Sequence, residues 1–250
     1  REQKHLVAAM KEAIHGGLEA VALDPAVIDT IHVSNFAAEL YAMQGHLGAF
    51  ALEASPELRG KPTARHEAAC ASGAIAILAA SAEIEAGRYE CALVVGVEQM
   101  KTVSPEQGGE YLGTASWYDR ESKGRDFPFP RLFGELGAEY VRRFETPIEQ
   151  YQAYLADLMY RNARRNPKAQ TRGWAMDRRH AASEDGFNRR ISPQIKFSDC
   201  SQVTDGAVSL FLSSEQFARE YAGQRGTRLE DIPAIQGWGH TTAPIMLQDK

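Results

Sequence analysis

Two stretches written back to back constrain this chain more than any other: ASGAIAILAASAEIEAG from Ala71 to Gly87, and CALVVGV from Cys91 to Val97. The first is apolar or small on almost every side, so it reads as a helix packed inside the protein rather than laid on its surface. The second is an unbroken apolar run with no alternation, the pattern of a strand covered on both faces. A buried helix feeding such a strand is the unit from which parallel sheets are wound. The chain writes related units before it. REQKHLVAAMKEAIHGG opens as a helix with Leu6, Val7, Met10, Ala13 and Ile14 on one face, stopping at Gly16 and Gly17 or slightly later. LDPAVID turns on an Asp-Pro pair, and IDTIHVSNFA reads as a strand. A helical stretch covers Ala38 to Leu52, ASPELRGKP is a loop, and the strand PTARHEAA leads into the helix from Ser72 to Ala86, closed by Gly87. The expected class is α/β, layered α-β-α around a mostly parallel sheet. Opening on a helix, the chain is expected to lack an amino-terminal strand.

From about Lys101 the texture changes. Paired glycines at Gly108 and Gly109, aromatics at Tyr111, Trp117 and Tyr118, and the loop RDFPFPRL, whose prolines exclude regular ladders, interrupt the alternation. Helix returns from Glu135 to Arg165, and Arg161 to Arg190 is rich in arginine. The α/β pattern resumes at VTDGAVSLFLSS, with a last strand expected at PAIQGWGH. Residues 1–100 thus read as the first part of a sheet domain, 101–197 as an inserted helical domain, and 198–250 as strands returning to the first domain.

With 250 residues and 44% hydrophobic composition the chain can bury a substantial core, and a net charge of -5 gives no general attraction to nucleic acid or anionic membrane. No run of about 18 apolar residues spans a membrane and no signal peptide is recognisable. Cys70, Cys91 and Cys200 lie far apart and form no CxxC pair, which argues against a disulfide framework or a cysteine-rich zinc site and for a reducing cytosol.

The residues around Cys70, HEAACASG, admit two readings. Tight packing selects Ala, Ser and Gly; equally, a thiol at a helix entrance faces unpaired N–H groups and the positive end of the helix dipole, which favour the thiolate. Burial pushes its pKa the other way. Either way the buried helix should place the thiol inside a core or at the base of a pocket. His66, four residues earlier, reads as a packed or hydrogen-bonded strand histidine, Cys91 as core and Cys200 as structural.

HEAACASGAIAILAASAEIEAGRYECALVVGVEQM resembles the nucleophile segment of the thiolase superfamily. NPKAQTRGW at Asn166 to Trp174, SDCSQVTDGAVSLFLSS at Ser198 to Ser214 and IQGWGHTTAP at Ile235 to Pro244 resemble, in order and spacing, thiolases of the sterol carrier protein type. The resemblance implies a thiolase-like fold and an acyl-CoA C-acyltransferase that cleaves 3-ketoacyl-CoA or condenses acyl-CoA. Cys70 matches the acyl-accepting nucleophile, and the helix entrance would supply an oxyanion donor. Ser201 matches a serine that contacts the pantetheine arm. The family's His-Met pair falls at Glu135 and Leu136, which makes Leu136 a candidate substrate contact. The arginine-rich stretch reads either as a solvated helix face or, because it lies where the family's coenzyme-binding loop domain lies, as a source of guanidinium groups that would meet coenzyme A phosphates.

The family's carboxy-terminal histidine-bearing motif, Gly-His-Pro motif and second catalytic cysteine have no recognisable match. His240 is followed by Thr and reads as a loop or strand-end residue. The second thiolase half is therefore expected to be absent. The resemblance further implies a homodimer or dimer of dimers, coenzyme A and acyl-CoA as substrates with no permanent cofactor or metal, and room for a small accessory protein. Two rival readings are a thiolase-like retro-aldol lyase and a non-catalytic acyl-CoA-binding scaffold.

Overall fold

The computed structural model describes residues 5–249; the first four residues of the opening helical pattern, and Lys250, lie outside them. In chain order the elements are α1 (Leu6–Val21), β1 (Thr30–Ser34), α2 (Ala38–Tyr41), α3 (Leu47–Ala51), β2 (Thr63–His66), α4 (Ser72–Glu85) and β3 (Cys91–Glu98). They continue with α5 (Pro105–Leu112), α6 (Pro128–Phe144), α7 (Ile148–Arg165), α8 (Arg178–Ala182), β4 (Arg190–Ser192), β5 (Ile195–Lys196), β6 (Gly206–Ser213) and α9 (Glu215–Arg225). Two compact units divide the chain: Arg1–Val103 with Thr204–Thr241, and Ser104–Val203 with Thr242–Lys250.

The first unit is built on a four-stranded sheet of order β2-β1-β3-β6. β1 pairs parallel with both β2 and β3, while β6 returns antiparallel along β3 from Cys91↔Ser213 to Glu98↔Gly206. On one face Leu6, Met10, Ile14 and Leu18 of α1, spaced at i, i+4, meet Ile31, Val33, Leu93 and Val95 of the strands. The opening helix runs through its two glycines because Gly17 serves close approach. A Cβ there would lie within 3.4 Å of Phe211 and collide with Ser209, whose hydroxyl donates to Ala13 O at 2.6 Å.

On the opposite face α4 packs Ala76 and Ala80 against Ala92 and Val94. Only Ser72, Ala76 and Ala80 of this helix are buried, so the expectation of a helix enclosed on all sides is corrected. Its small residues seat one side on the sheet, and its remaining apolar side chains are only partly covered among the described residues. The stretch read as one helix from Ala38 to Leu52 is broken, because Met43 and His46 take left-handed conformations around Gly45. The last strand expected at PAIQGWGH is not formed. Pro233, Gly237 and Gly239 are poor strand formers, the segment has no strand partner among the described residues, and Ile235 and Trp238 are more than half exposed.

In the second unit α7 packs Ala153, Ala156 and Tyr160 against Ala181 of α8. The loop read at RDFPFPRL instead starts α6, with Pro128 in the first turn, where a missing N–H costs nothing. The helix read from Glu135 to Arg165 is two helices, parted where Glu145 turns left-handed and Pro147 precedes α7. Gly134 on α6 lies so close to β4 that a Cβ would strike Ser192.

Candidate active site

Cys70 sits between the end of β2 and the start of α4, at the carboxyl end of a parallel strand, where open α/β sheets place their ligand sites. Local hydrogen bonds shape the turn. The Ser72 hydroxyl accepts from Ala68 N at 2.9 Å and donates to Ala69 O at 2.6 Å, and Glu67 Oε1 accepts from Ala69 N at 2.5 Å. Ala71 N and Ser72 N donate to Ala68 O and Ala69 O. Those two amides are engaged inside the turn, so an oxyanion donor at the helix entrance would come from another of its N–H groups. Ala69, with φ 48°, holds a left-handed conformation that costs a residue with a Cβ about 1–2 kcal/mol. The residue just before the thiol is thus strained, and the bonds on either side hold it there.

Cys70 is exposed, so its expected place in a core or at the base of a pocket is corrected. The physical reason is that α4 buries only one side, through Ser72, Ala76 and Ala80, and the turn residues Cys70 and Ala71 at its entrance are both exposed. The other two thiols are covered. Cys91 is buried on β3 and burial pushes its pKa up to about 12; Cys200 is half-buried, its thiol raised by burial and then by Asp199, and it lies 3.7 Å from Lys196 O. Of the three, only Cys70 is open to a soluble electrophile.

At the carboxyl ends of β1 and β3 a second polar group forms. Glu98 Oε1 accepts from Asn35 Nδ2 and Glu98 Oε2 from Phe36 N, both at 2.8 Å. Arg65 donates to Asn35 Oδ1 at 3.0 Å and Phe36 O at 2.9 Å and pairs with Glu39. Burial raises the Glu98 pKa, against the pull of these donors and of Arg65. The sequence reading missed Asn35, Arg65 and Glu98; the available signal was a glutamate closing an otherwise apolar strand in GVEQM. His66 is hydrogen-bonded, its Nε2 lying 2.9 Å from His32 Nδ1.

The structure carries Cys70 on the first compact unit, and Leu136 and Ser201 on the second. Leu136 is exposed on α6, whereas Ser201 is exposed in an irregular stretch before β6. In the arginine-rich stretch, Arg161 pairs with Asp157 and Arg172 donates to Pro167 O. His240 lies exposed in an irregular segment. Among the described residues no group of three His, Cys, Asp or Glu side chains is placed to hold a metal, and no helix is long and apolar enough to cross a membrane.

The strand–turn–helix with an exposed cysteine at its corner, on a mostly parallel sheet interrupted by a helical insert, is an arrangement found in thiolase-like folds. Solved structures that share it include the following two. An "Ltp2-ChsH2(DUF35) aldolase" superposes with a TM-score of 0.65 at 15% identity, covering 88% of this chain and 53% of that one. A monomeric SCP2-thiolase like protein type 1 from Mycobacterium smegmatis does so with a TM-score of 0.61 at 14% identity, covering 89% and 45%. The family model "Thiolase, N-terminal domain" matches residues 2–171, and the chain belongs to the thiolase family. An acetyl-CoA acetyltransferase of Methanothermobacter thermautotrophicus is 27% identical over 210 residues, 84% of this chain and 52% of that relative. Sterol carrier protein 2 of Oryctolagus cuniculus is 24% identical over 175 residues, 67% of this chain and 30% of that relative. The chain spans about half the length, or less, of these curated relatives.

Proposed function

We propose that the chain is the nucleophile-bearing half of an acyl-CoA C-acyltransferase in which Cys70 accepts the acyl group. In the degradative direction its thiolate attacks the C3 carbonyl of a 3-ketoacyl-CoA. The C2–C3 bond then breaks, the two-carbon fragment leaves as acetyl-CoA after protonation, and the acyl group stays on Cys70 as a thioester. Free coenzyme A removes it, and the reverse sequence condenses two acyl-CoA molecules. The observation that carries this reading is that the one exposed thiol stands at the β2–α4 corner, inside the stretch matched by the thiolase model. In this reading residues 101–197 are the inserted loop domain, Leu136 and Ser201 contact the substrate, and some arginines of 161–190 meet coenzyme A phosphates. The protein acts in the cytoplasm on acyl-CoA with no permanent cofactor, as a homodimer or dimer of dimers.

The test is incubation with a 3-ketoacyl-CoA and no free coenzyme A, read by intact mass. An acyl adduct that maps to Cys70 and vanishes in Cys70→Ala supports acyl transfer. Bound substrate without an adduct overturns it in favour of a retro-aldol lyase with an accessory subunit. That second reading draws on the fold shared with the aldolase, which is solved with a DUF35 protein.

A further inference from the structure

Beneath α4 the sheet is not apolar. Thr30, His32 and Ser34 lie on the α4 side of β1, and all three are buried. His32 Nε2 lies 3.1 Å from Glu83 Oε2 in the last turn of α4, and His32 Nδ1 lies 2.9 Å from His66 Nε2 at the end of β2. The two rings stack with centroids 5.1 Å apart at 19°. Thr30 Oγ1 is 3.4 Å from the same carboxylate oxygen.

Hydrogen-bond logic fixes the protons in this chain of contacts. A carboxylate only accepts, so the proton between Glu83 and His32 sits on His32 Nε2. A neutral imidazole has one N–H, so His32 Nδ1 accepts and His66 Nε2 donates. That leaves His66 Nδ1 with a free lone pair. One further proton can enter there without breaking any of these bonds, balanced through His32 by Glu83.

The charged or titratable groups facing the pair are few. α4 contributes Glu83, and β1 and β2 contribute the histidines themselves. β3 contributes Ala92 and Val94, while Arg65 of β2 is engaged with Glu39 and Asn35. In the turn, Glu67 is bonded to Ala69 N. Burial, and for His66 also the neighbouring imidazole, lower both pKa values against the pull of Glu83, and this lowering favours the neutral rings.

The three residues tie together β2, which enters the Cys70 turn, and α4, which leaves it, across the central strand β1. We infer that Glu83, His32 and His66 act as one proton relay that positions the Cys70 turn, with the relay's free lone pair at His66 Nδ1. They are positioning residues, and the inference stands whether or not Cys70 carries an acyl group.

The experiment is 15N-edited NMR of the imidazoles in the full chain, together with mass-mapped iodoacetamide labelling of Cys70 at pH 7.5. Expected are Nε2–H tautomers at both histidines and a His66 titration below pH 6.5. In Glu83→Gln, whose amide oxygen still accepts from His32, the tautomers and the Cys70 labelling rate persist. The His66 titration there moves down by about one pH unit, because an opposite charge is lost. In Glu83→Ala the labelling rate departs from wild type, and hydrogen-exchange protection at Ala71 and Ser72 is lost. An Nδ1–H tautomer at His66, or a His66 titration unmoved in Glu83→Gln, overturns the relay. Labelling and protection in Glu83→Ala equal to wild type overturn the positioning role. If Glu83→Ala does not fold, the Glu83→Gln tautomers and titration decide the relay, and His66→Gln labelling decides positioning.

Discussion

Towards α1 and α3 the sheet presents Ile31, Val33, Leu93 and Val95, while towards α4 the same strands present Thr30, His32, Ser34, Ala92 and Val94. Both sets are buried. The first face is filled by volume, with branched aliphatic side chains meeting Met10 and Ile14. The second is filled by proximity. Alanines let the α4 backbone come close, and each polar group that such closeness buries has to find a partner, as His32 does in Glu83 and His66. One face stabilises the domain, and the other places the helix whose entrance carries Cys70.

If that division holds, truncation should cost most on the volume-filled face. Leu93→Ala should lower unfolding free energy by about 2–5 kcal/mol, read from urea denaturation; a loss no larger than that of an exposed site would break the contrast. Enlargement should cost on the other face. Ala80→Leu should destabilise by about 1–3 kcal/mol and raise the labelling rate of Cys70. A neutral result would mean that α4 is not closely seated. Ser72→Ala, which removes the hydroxyl bridging Ala68 N and Ala69 O, should lower stability by about 0.5–1.5 kcal/mol while accelerating exchange at the Ala68 amide.

The smallest effect separates the faces by pH. Burial holds His32 and His66 below the ordinary value of 6.5, so the unfolded chain binds protons that the folded one does not. Their contribution is fully present above pH 6.5 and is lost as pH falls from there towards the depressed folded values. Urea midpoints at pH 7.5 and 5.5 should show that fall, with a shallower slope in His66→Gln. An equal slope would place the acid sensitivity elsewhere.

The same contrast explains what the sequence made legible. β3 stood out because CALVVGV is apolar on both faces, and α4 because its start and end are marked by Ser72 and Gly87. In β1, Thr30, His32 and Ser34 alternate with Ile31 and Val33, yet all five residues are buried. Their polar partners lie far along the chain, 34 residues away at His66 and 51 at Glu83, so no local pattern announces them. Cys70 was legible as a corner residue, but its exposure was not, because the composition of α4 does not tell which of its sides is covered. The strand expected at PAIQGWGH failed for the complementary reason, since a strand needs a neighbour and alternation alone supplies none.

The return of β6 has a consequence for synthesis. β3 ends at Glu98 and its partner begins at Gly206. At about 5–20 residues per second, a ribosome delivers the intervening stretch of roughly a hundred residues in on the order of 5–20 s. During that interval the outer edge of β3, one of the most apolar segments of the chain, has no strand beside it. Nascent chains are therefore most prone to edge-to-edge aggregation in the window when the helical insert is being made.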